Sequence, residues 1–485
     1  MWNIIYYIFS YLVFFYTLLA MILLVYLAVR SYIAQKRLQV NVPDDDTIRY
    51  TLKSSPITPS VSIIAPAHDE EKTILDNVYS MLGIYYPNYD IIVVNDGSTD
   101  KTLDLLIEEF KLKEVPFINQ KKVPSKPIKA VYKSTDEKFS QITVVDKVAG
   151  GHKSDSVNAG LNVCNSKYFV STDVDCIIEP MALYRMMWQV VNSHEPVVGV
   201  GATMLMLNGC IVENGRVVEA KVSNNPLPVF QQLEYMRSFL VGKMGWSSLN
   251  TLPNISGGFG LFDTDVVVKS GGYDQTSLAE DLDLLLRIVT YMDNSGKKYR
   301  VAQLPQVSCW TEGPYNIRLL WRQRLRWARG LCEVVSNHRK LFFNYRHKKM
   351  GLATLPYIFI FEFLAPIIEV TGFFFMIWLI LVGAVNWNTA FVIFGMIYVF
   401  AISLTFLVLV YDYLMKAVKW KNTWKSYLKL IIAGITEPFI FHPFITMCSL
   451  VGYFNYFRNR GKEWKTIKRK GAKKRESYNN EFAMA

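Results

Sequence analysis

Residues 90–100 read DIIVVNDGSTD. Four β-branched residues in a row, flanked by polar ones, predict a strand buried on both faces. Asp-Gly-Ser is ordinary turn chemistry, and Ser98 or Asp100 can cap a helix beginning near Lys101. The same unit recurs on either side. VSIIAP (61–66) reads as a buried strand before the helical pattern EEKTILDNVYSML. ITVVDK (142–147) is a third strand, followed by the helix SDSVNAGLNVC, and YFVST (168–172) is a fourth. Strands alternating with helices predict an α/β domain built on a mostly parallel sheet with helices on both faces. Residues 111–141 hold several Lys and Pro with little periodicity and read as a loop insertion.

Hydrophobic residues make up 51% of the 485-residue chain, which directs attention to membrane segments. Residues 1–29 carry no charged side chain, and about 20 apolar residues suffice to span a bilayer. No basic residue precedes this run and no small-residue cleavage site follows it, which argues against a removable signal peptide. Arg30, Lys36 and Arg37 come next, so the N-terminus is expected outside and the following region in the cytoplasm. Further candidate spans are 354–384, 388–411 and 430–457. The chain thus divides into an N-terminal transmembrane helix (1–37), a cytoplasmic domain (38–345) with an interface helix at 316–340, a C-terminal transmembrane block (346–460) and a basic tail (461–485). A multi-pass protein of the plasma (inner) membrane is expected.

The net charge of +12 gathers in 321–349 and in the tail from Arg458. Basic clusters beside spanning helices meet anionic headgroups, and no nucleic-acid recognition motif is present. None of the six cysteines forms a metal-ligand spacing, so reduced thiols are expected. Topology is open. If all three later segments cross, the basic tail ends outside, against the charge rule. Pro438, His442 and Pro443 interrupt the last segment, which suggests a re-entrant segment or a bent pair of half-helices. Glu362 and Glu369 face either a protein interior or an interface.

In parallel sheets, ligands sit beyond the carboxyl ends of the strands. Asp96 follows the second strand, GGHKSDSVNAG (150–160) the third, and Asp173 and Asp175 of STDVDC the fourth. Any one of these alone reads more readily as turn or cap chemistry. Together they place several carboxylates in one crevice, where their repulsion calls for a cation. Asp173 and Asp175, two residues apart, aim to one side. Hard oxygen ligands of this kind beside a phosphate-bearing substrate suit Mg²⁺ or Mn²⁺, and Lys153 is a candidate phosphate contact. No P-loop is present. In LAEDLDLLLRI (278–288), Glu280 and Asp281 either complement the helix dipole or supply a general base.

VVNDGSTD, GGHKSDSVNAGLN, STDVD, ISGGFGLF, LAEDLDL and QRLRW occur in this order. The set resembles membrane-bound family 2 glycosyltransferases, in particular the processive synthases of poly-N-acetylglucosamine, chitin, hyaluronan and cellulose. The resemblance covers about residues 58–460. It implies a GT-A fold and inverting hexosyl transfer from a nucleotide-sugar, usually a UDP-sugar, to a growing β-linked polysaccharide. On matching positions it implies that Asp96 binds the nucleotide and that Asp173 and Asp175 form the Asp-x-Asp metal motif, with Asp175 the principal ligand. Asp281 matches the catalytic base of the Thr-Glu-Asp motif, whose first residue is here Ala279. Gln323, Arg326 and Trp327 match Gln-x-x-Arg-Trp, at the diphosphate and acceptor sugar. His68 and Asp69 stand where the family often has Tyr-Asn, near the nucleotide base or ribose. Expected partners are the nucleotide-sugar donor, a polysaccharide or lipid acceptor, membrane lipids and accessory export subunits. N-acetylglucosamine is the first choice of sugar. A non-processive enzyme acting on a lipid, and an inactive scaffold or polysaccharide-binding subunit, are the alternatives.

Overall fold

A computed structural model describes residues 2–56, 58–174, 176–415, 418, 420–458 and 473–474. The long buried runs noted above pair as expected. Strands β1 (Val61–Ala67), β2 (Tyr89–Asp96), β5 (Ile142–Lys147) and β6 (Tyr168–Thr172) form a parallel block in the order β5-β2-β1-β6. Beyond β6 the sheet becomes mixed. β11 (Phe259–Asp263) lies antiparallel between β6 and β8 (Val197–Met206). β12 (Arg300–Thr311) runs parallel to β8, and the two-residue β7 (Ile177–Ile178) closes that edge.

The expected loop insertion at 111–141 is different. It contains β3 (Leu112–Val115) and β4 (Ile128–Ser134), which extend the sheet antiparallel from β5 to make ten strands in all. Both are short and carry exposed Lys113, Glu114 and Lys129. An edge strand half open to water has no long apolar run for a periodicity test to detect. A second small sheet pairs β9 (Ile211–Glu213) with β10 (Arg216–Glu219) and with β13 (Lys473–Lys474).

Two apolar cores lie in the domain. One gathers Ile63, Val93, Val170 and Phe259, the other Ile64, Val94, Phe169 and Phe262. Consecutive residues of each strand therefore divide between the two, as the period of two requires. The order of strands, parallel half then mixed half, with helices on both faces, is the GT-A arrangement.

Eight helices matter for the site and the membrane. They are α1 (Trp2–Asn41), α2 (Lys153–Val163), α3 (Pro226–Arg237), α4 (Glu280–Asn294), α5 (Ile317–Asn337), α6 (Ala365–Leu381), α7 (Trp387–Met415) and α8 (Thr423–Phe457). Four helical stretches, Ser10–Asn41, Met350–Leu381, Trp387–Leu414 and Thr423–Phe457, are long and apolar enough to cross a membrane. Their starts at 350 and 423 precede the expected 354 and 430. The Met350–Leu381 stretch is irregular, with π-helical turns at Met350–Thr354 and Ile358–Phe363. Pro438 and Pro443, by contrast, lie inside one continuous helix, α8, and do not divide it. Neighbouring helices hold α8 in place despite the lost backbone bonds.

Candidate active site

The site forms where the parallel strands end. Asp96 closes β2 and is buried. Its Oδ1 accepts from the Gly150 amide at 2.8 Å and from the Lys147 ammonium. Lys147, fully buried at the end of β5, also pairs with Asp155 at 2.6 Å. His68 Nδ1 lies 2.9 Å from the Asp96 carbonyl, and Asp69 Oδ1 accepts from the Thr99 amide at 2.8 Å. These contacts tie the loops after β1, β2 and β5 into one rim.

Asp173 follows β6 and is partly exposed. Its Oδ1 accepts from Lys153 Nζ at 2.5 Å, and the same ammonium donates to the Gly257 carbonyl at 2.6 Å. Lys153 therefore fastens the strand end to the glycine-rich loop before β11. Burial opposes its charge, but the Asp173 and Glu280 carboxylates outweigh that and raise its pKa. Asp175 lies outside the described residues. Among the described residues no cluster of three or more His, Cys, Asp or Glu side chains is arranged to hold a metal ion.

Asp281 sits in the first turn of α4, where the helix N-terminus favours negative charge. Its Oδ2 accepts from Asn254 Nδ2 at 2.8 Å and its Oδ1 from the Leu282 amide at 2.9 Å. Burial raises the pKa of neighbouring Glu280. The Asp281 charge adds to that rise, whereas Arg326 and Lys153 oppose it. Lys153, Asp173, Glu280, Asp281 and Arg326 thus belong to one electrostatic cluster at the mouth of the crevice.

The WRQRLRWARG segment (321–330) lies in α5, which Asn316 caps by accepting from the Leu319 amide at 2.9 Å. One side of α5 meets the loop before α4, where Gly330 adjoins Ala279, and another meets α8, where Ala328 adjoins Gly452. Arg326 makes no hydrogen bond or ion pair with another described residue and lies close to Glu280. The Gln323 side-chain oxygen is buried and meets no hydrogen-bond donor among the described residues. Trp327 is 37% exposed, enough to offer a ring face.

Sequence reasoning missed several supporting residues. Arg324, one of the four arginines in this segment, is buried and forms a bidentate pair with Glu234 at 2.6 Å on both arms. Its guanidinium stacks on Trp327 at 4.4 Å. Asn254, which orients Asp281, and Lys147, which neutralises Asp96, were also unassigned. Only distance in space links Glu234 and Asn254 to the motifs, so no local pattern marks them.

Comparison with known proteins identifies what the chain is similar to. The description of Glycosyl transferase family 2 matches residues 62–204, and that of Glycosyl transferase family group 2 matches residues 229–454. The probable glycosyltransferase YdaM of Bacillus subtilis is 29% identical over 357 residues, covering 73% of this chain and 70% of that protein. A poly-beta-1,6-N-acetyl-D-glucosamine synthase of Staphylococcus epidermidis is 26% identical over 307 residues, covering 63% of this chain. The match spans only 61% of that enzyme's length. Among solved structures, a mannosyltransferase from Pyrobaculum calidifontis, in complex with GDP-Man and Mn²⁺, aligns over 90% of this chain and all of its own, with a TM-score of 0.46 and 14% identity.

Proposed function

We propose that this chain, a family 2 glycosyltransferase resembling poly-N-acetylglucosamine synthases, moves a sugar from a UDP-sugar to the end of a growing β-linked polysaccharide at the inner membrane. N-acetylglucosamine is the sugar we favour, because synthases of its polymer are among the relatives. In this reading the acceptor hydroxyl attacks the anomeric carbon as the bond to the diphosphate breaks. Asp281 takes the hydroxyl proton. A single displacement with one base inverts the anomeric configuration, unlike the paired carboxylates of a glycosidase. Charge accumulating on the departing diphosphate is met by Arg326 and Lys153. Asp173 and Asp175 are the residues that would hold Mg²⁺ or Mn²⁺, which would neutralise the same diphosphate. The partial exposure of Asp173 at the crevice suits that use.

The observation that carries this reading is the fixing of Asp281 by Asn254 at the N-terminus of α4, within one cluster with Arg326 and Lys153. The test is purified full-length protein with UDP-N-acetylglucosamine and Mg²⁺ or Mn²⁺, with products sized by mass spectrometry. Chains of many β-linked units are expected, and a chelator should stop their synthesis. Asp281→Asn should lower the rate by about 10²–10⁴-fold, the usual contribution of a general base. Addition of one sugar per acceptor would favour single transfer to a lipid. An Asp281→Asn protein as active as the parent would point to a non-catalytic scaffold.

A further inference from the structure

Helix α2 buries polar side chains along one face, where apolar ones would cost less to bury. Asp155, Asn158 and Asn162 stand three and four residues apart, so they share that face, and all three are buried. Each bonds to the backbone of a loop. Asn162 Oδ1 accepts from the Val123 amide at 3.0 Å, and its Nδ2 donates to the Val123 carbonyl at 2.9 Å. Asn158 Oδ1 accepts from the Tyr273 amide at 3.0 Å, and its Nδ2 donates to the Pro124 and Tyr273 carbonyls, both at 2.9 Å. Asp155 Oδ1 accepts from the Lys126 amide and from Gln275 Nε2, both at 2.8 Å. Two loops are gripped in this way. One, at 123–126, joins β3 to β4, and the other, at 273–275, runs on to Asp281.

Asp155 also faces the donor side of the crevice. Its second oxygen pairs with the Lys147 ammonium at 2.6 Å. That ammonium donates further to Asp96 and, at 2.8 Å, to the Val148 carbonyl. All three of its N–H groups therefore have acceptors. An unbroken chain of contacts runs Asp96–Lys147–Asp155–Gln275, from the end of β2 to the loop before α4. Beyond Gln275 the loop is held again. The Leu278 amide donates to Glu333 of α5 at 3.2 Å, and the Ala279 amide to Ser277 Oγ at 3.3 Å. A buried polar network satisfied at this density is rigid, so a shift at one end is felt at the other.

We propose that Asp155 is a positioning residue that couples the donor side of the site to the base. Through Lys147 it fixes Asp96, and through Gln275 it fixes the loop that carries Asp281 into the crevice. This rests on the transferase reading above, in which Asp96 binds the nucleotide and Asp281 takes the proton. Asp155 touches neither substrate. Its two oxygens serve different partners, so its two arms are separable. The Lys147 arm acts on donor binding. The Gln275 arm acts on the placing of the base, where an error of about 1 Å can cost about 10²-fold in rate.

The test uses the full-length protein in detergent, with UDP-N-acetylglucosamine and Mg²⁺ or Mn²⁺, followed by UDP release. Gln275→Met removes only the donor to Asp155. It should lower kcat about tenfold or more while the donor KM stays within about twofold, the pattern of an interaction that serves the chemical step. Gln275→Lys, which offers Asp155 a new donor, should restore most of kcat. Asp155→Asn should lower kcat and raise the donor KM, each by about tenfold or more. Adding Gln275→Met to Asp155→Asn should then lower kcat little further, because the two act through one contact. Gln275 is only half-buried, so its two variants decide the matter if Asp155→Asn fails to fold. A Gln275→Met protein with parental kcat, a loss that Gln275→Lys does not restore, or losses that multiply in the double variant would overturn the coupling and leave the transferase reading intact. A parent protein that releases no UDP, or an Asp281→Asn protein as active as the parent, overturns the transferase reading itself, and the coupling with it.

Discussion

Arg324 and Arg326 differ by two positions in one helix and by everything else in their surroundings. Two residues along α5 is more than half a turn, so the side chains leave from opposite sides. Arg324 enters the protein, where Glu234 holds both arms. Arg326 faces the crevice near Glu280. Arg326→Ala is therefore expected to abolish transfer while the protein still inserts in membranes and melts at the parental temperature. Arg324→Ala should do the reverse at first. It removes one partner of a mostly buried ion pair, a change that costs about 3–5 kcal/mol in full burial and less here because Glu234 is partly exposed. A lowered melting temperature is the expected readout, with transfer falling as Trp327 loses its stacking partner. Asp96 and Asp173 were legible in the sequence because each stands at the end of a buried strand, whereas Asp281 opens a helix, where a carboxylate reads equally as dipole complement. The division of labour among the arginines was not legible, because four identical side chains on one helix are separated only by what lies opposite them.

At the scale of elements, the parallel strands were legible for a physical reason. A strand covered on both faces must be continuously apolar, and IIVV or ITVV has no other economical explanation. β3 forms the edge and β4 lies next to it, and their exposed Lys and Glu side chains make these short strands resemble loops. The helix α8 misled in the opposite direction. Its two prolines suggested a break, but packing on α3, α5, α6 and α7 along its length keeps it whole. That packing depends on small residues. A β-carbon on Gly452 would stand 2.5 Å from that of Ala328, and one on Gly330 would stand 2.8 Å from that of Ala279. The helix bearing Gln323, Arg326 and Trp327 is thus pressed between the membrane block and the loop that leads to Asp281. Gly330→Val should push that loop and lower kcat more than it raises donor KM. Gly452→Val should separate α8 from α5 and destabilise the protein by about 1–3 kcal/mol, the usual cost of overpacking. Steady-state kinetics and thermal melts in detergent distinguish the two.

For the whole molecule, the contacts of α8 bear on the conflict between hydropathy and charge. At its start, Lys429 donates to the carbonyls of Val222 and Ser223, at 3.1 and 3.3 Å, and Lys421 pairs with Glu219 just before it. In its middle, Arg237 pairs with Glu437, and Phe230 stacks on Phe441 at 5.1 Å. Near its end, Ala328 and Cys332 of α5 pack on Tyr453. Each of these partners belongs to the catalytic domain. A helix crossing the bilayer at right angles would leave that domain after a few turns, since each turn rises about 5.4 Å. The contacts instead suit a helix lying along the membrane face of the domain with one side in lipid, where Phe439, Ile440 and Met447 are exposed. The backbone of β13 in the tail pairs with β9 beside the same domain. If α1, Met350–Leu381 and Trp387–Leu414 cross and α8 lies flat, the basic tail returns to the side of the catalytic domain and the positive-inside rule holds. A cysteine introduced near residue 480 should then be labelled by a membrane-impermeant maleimide only in inverted vesicles or after permeabilisation. Labelling from outside in intact cells would mean that α8 crosses and that the charge rule is broken.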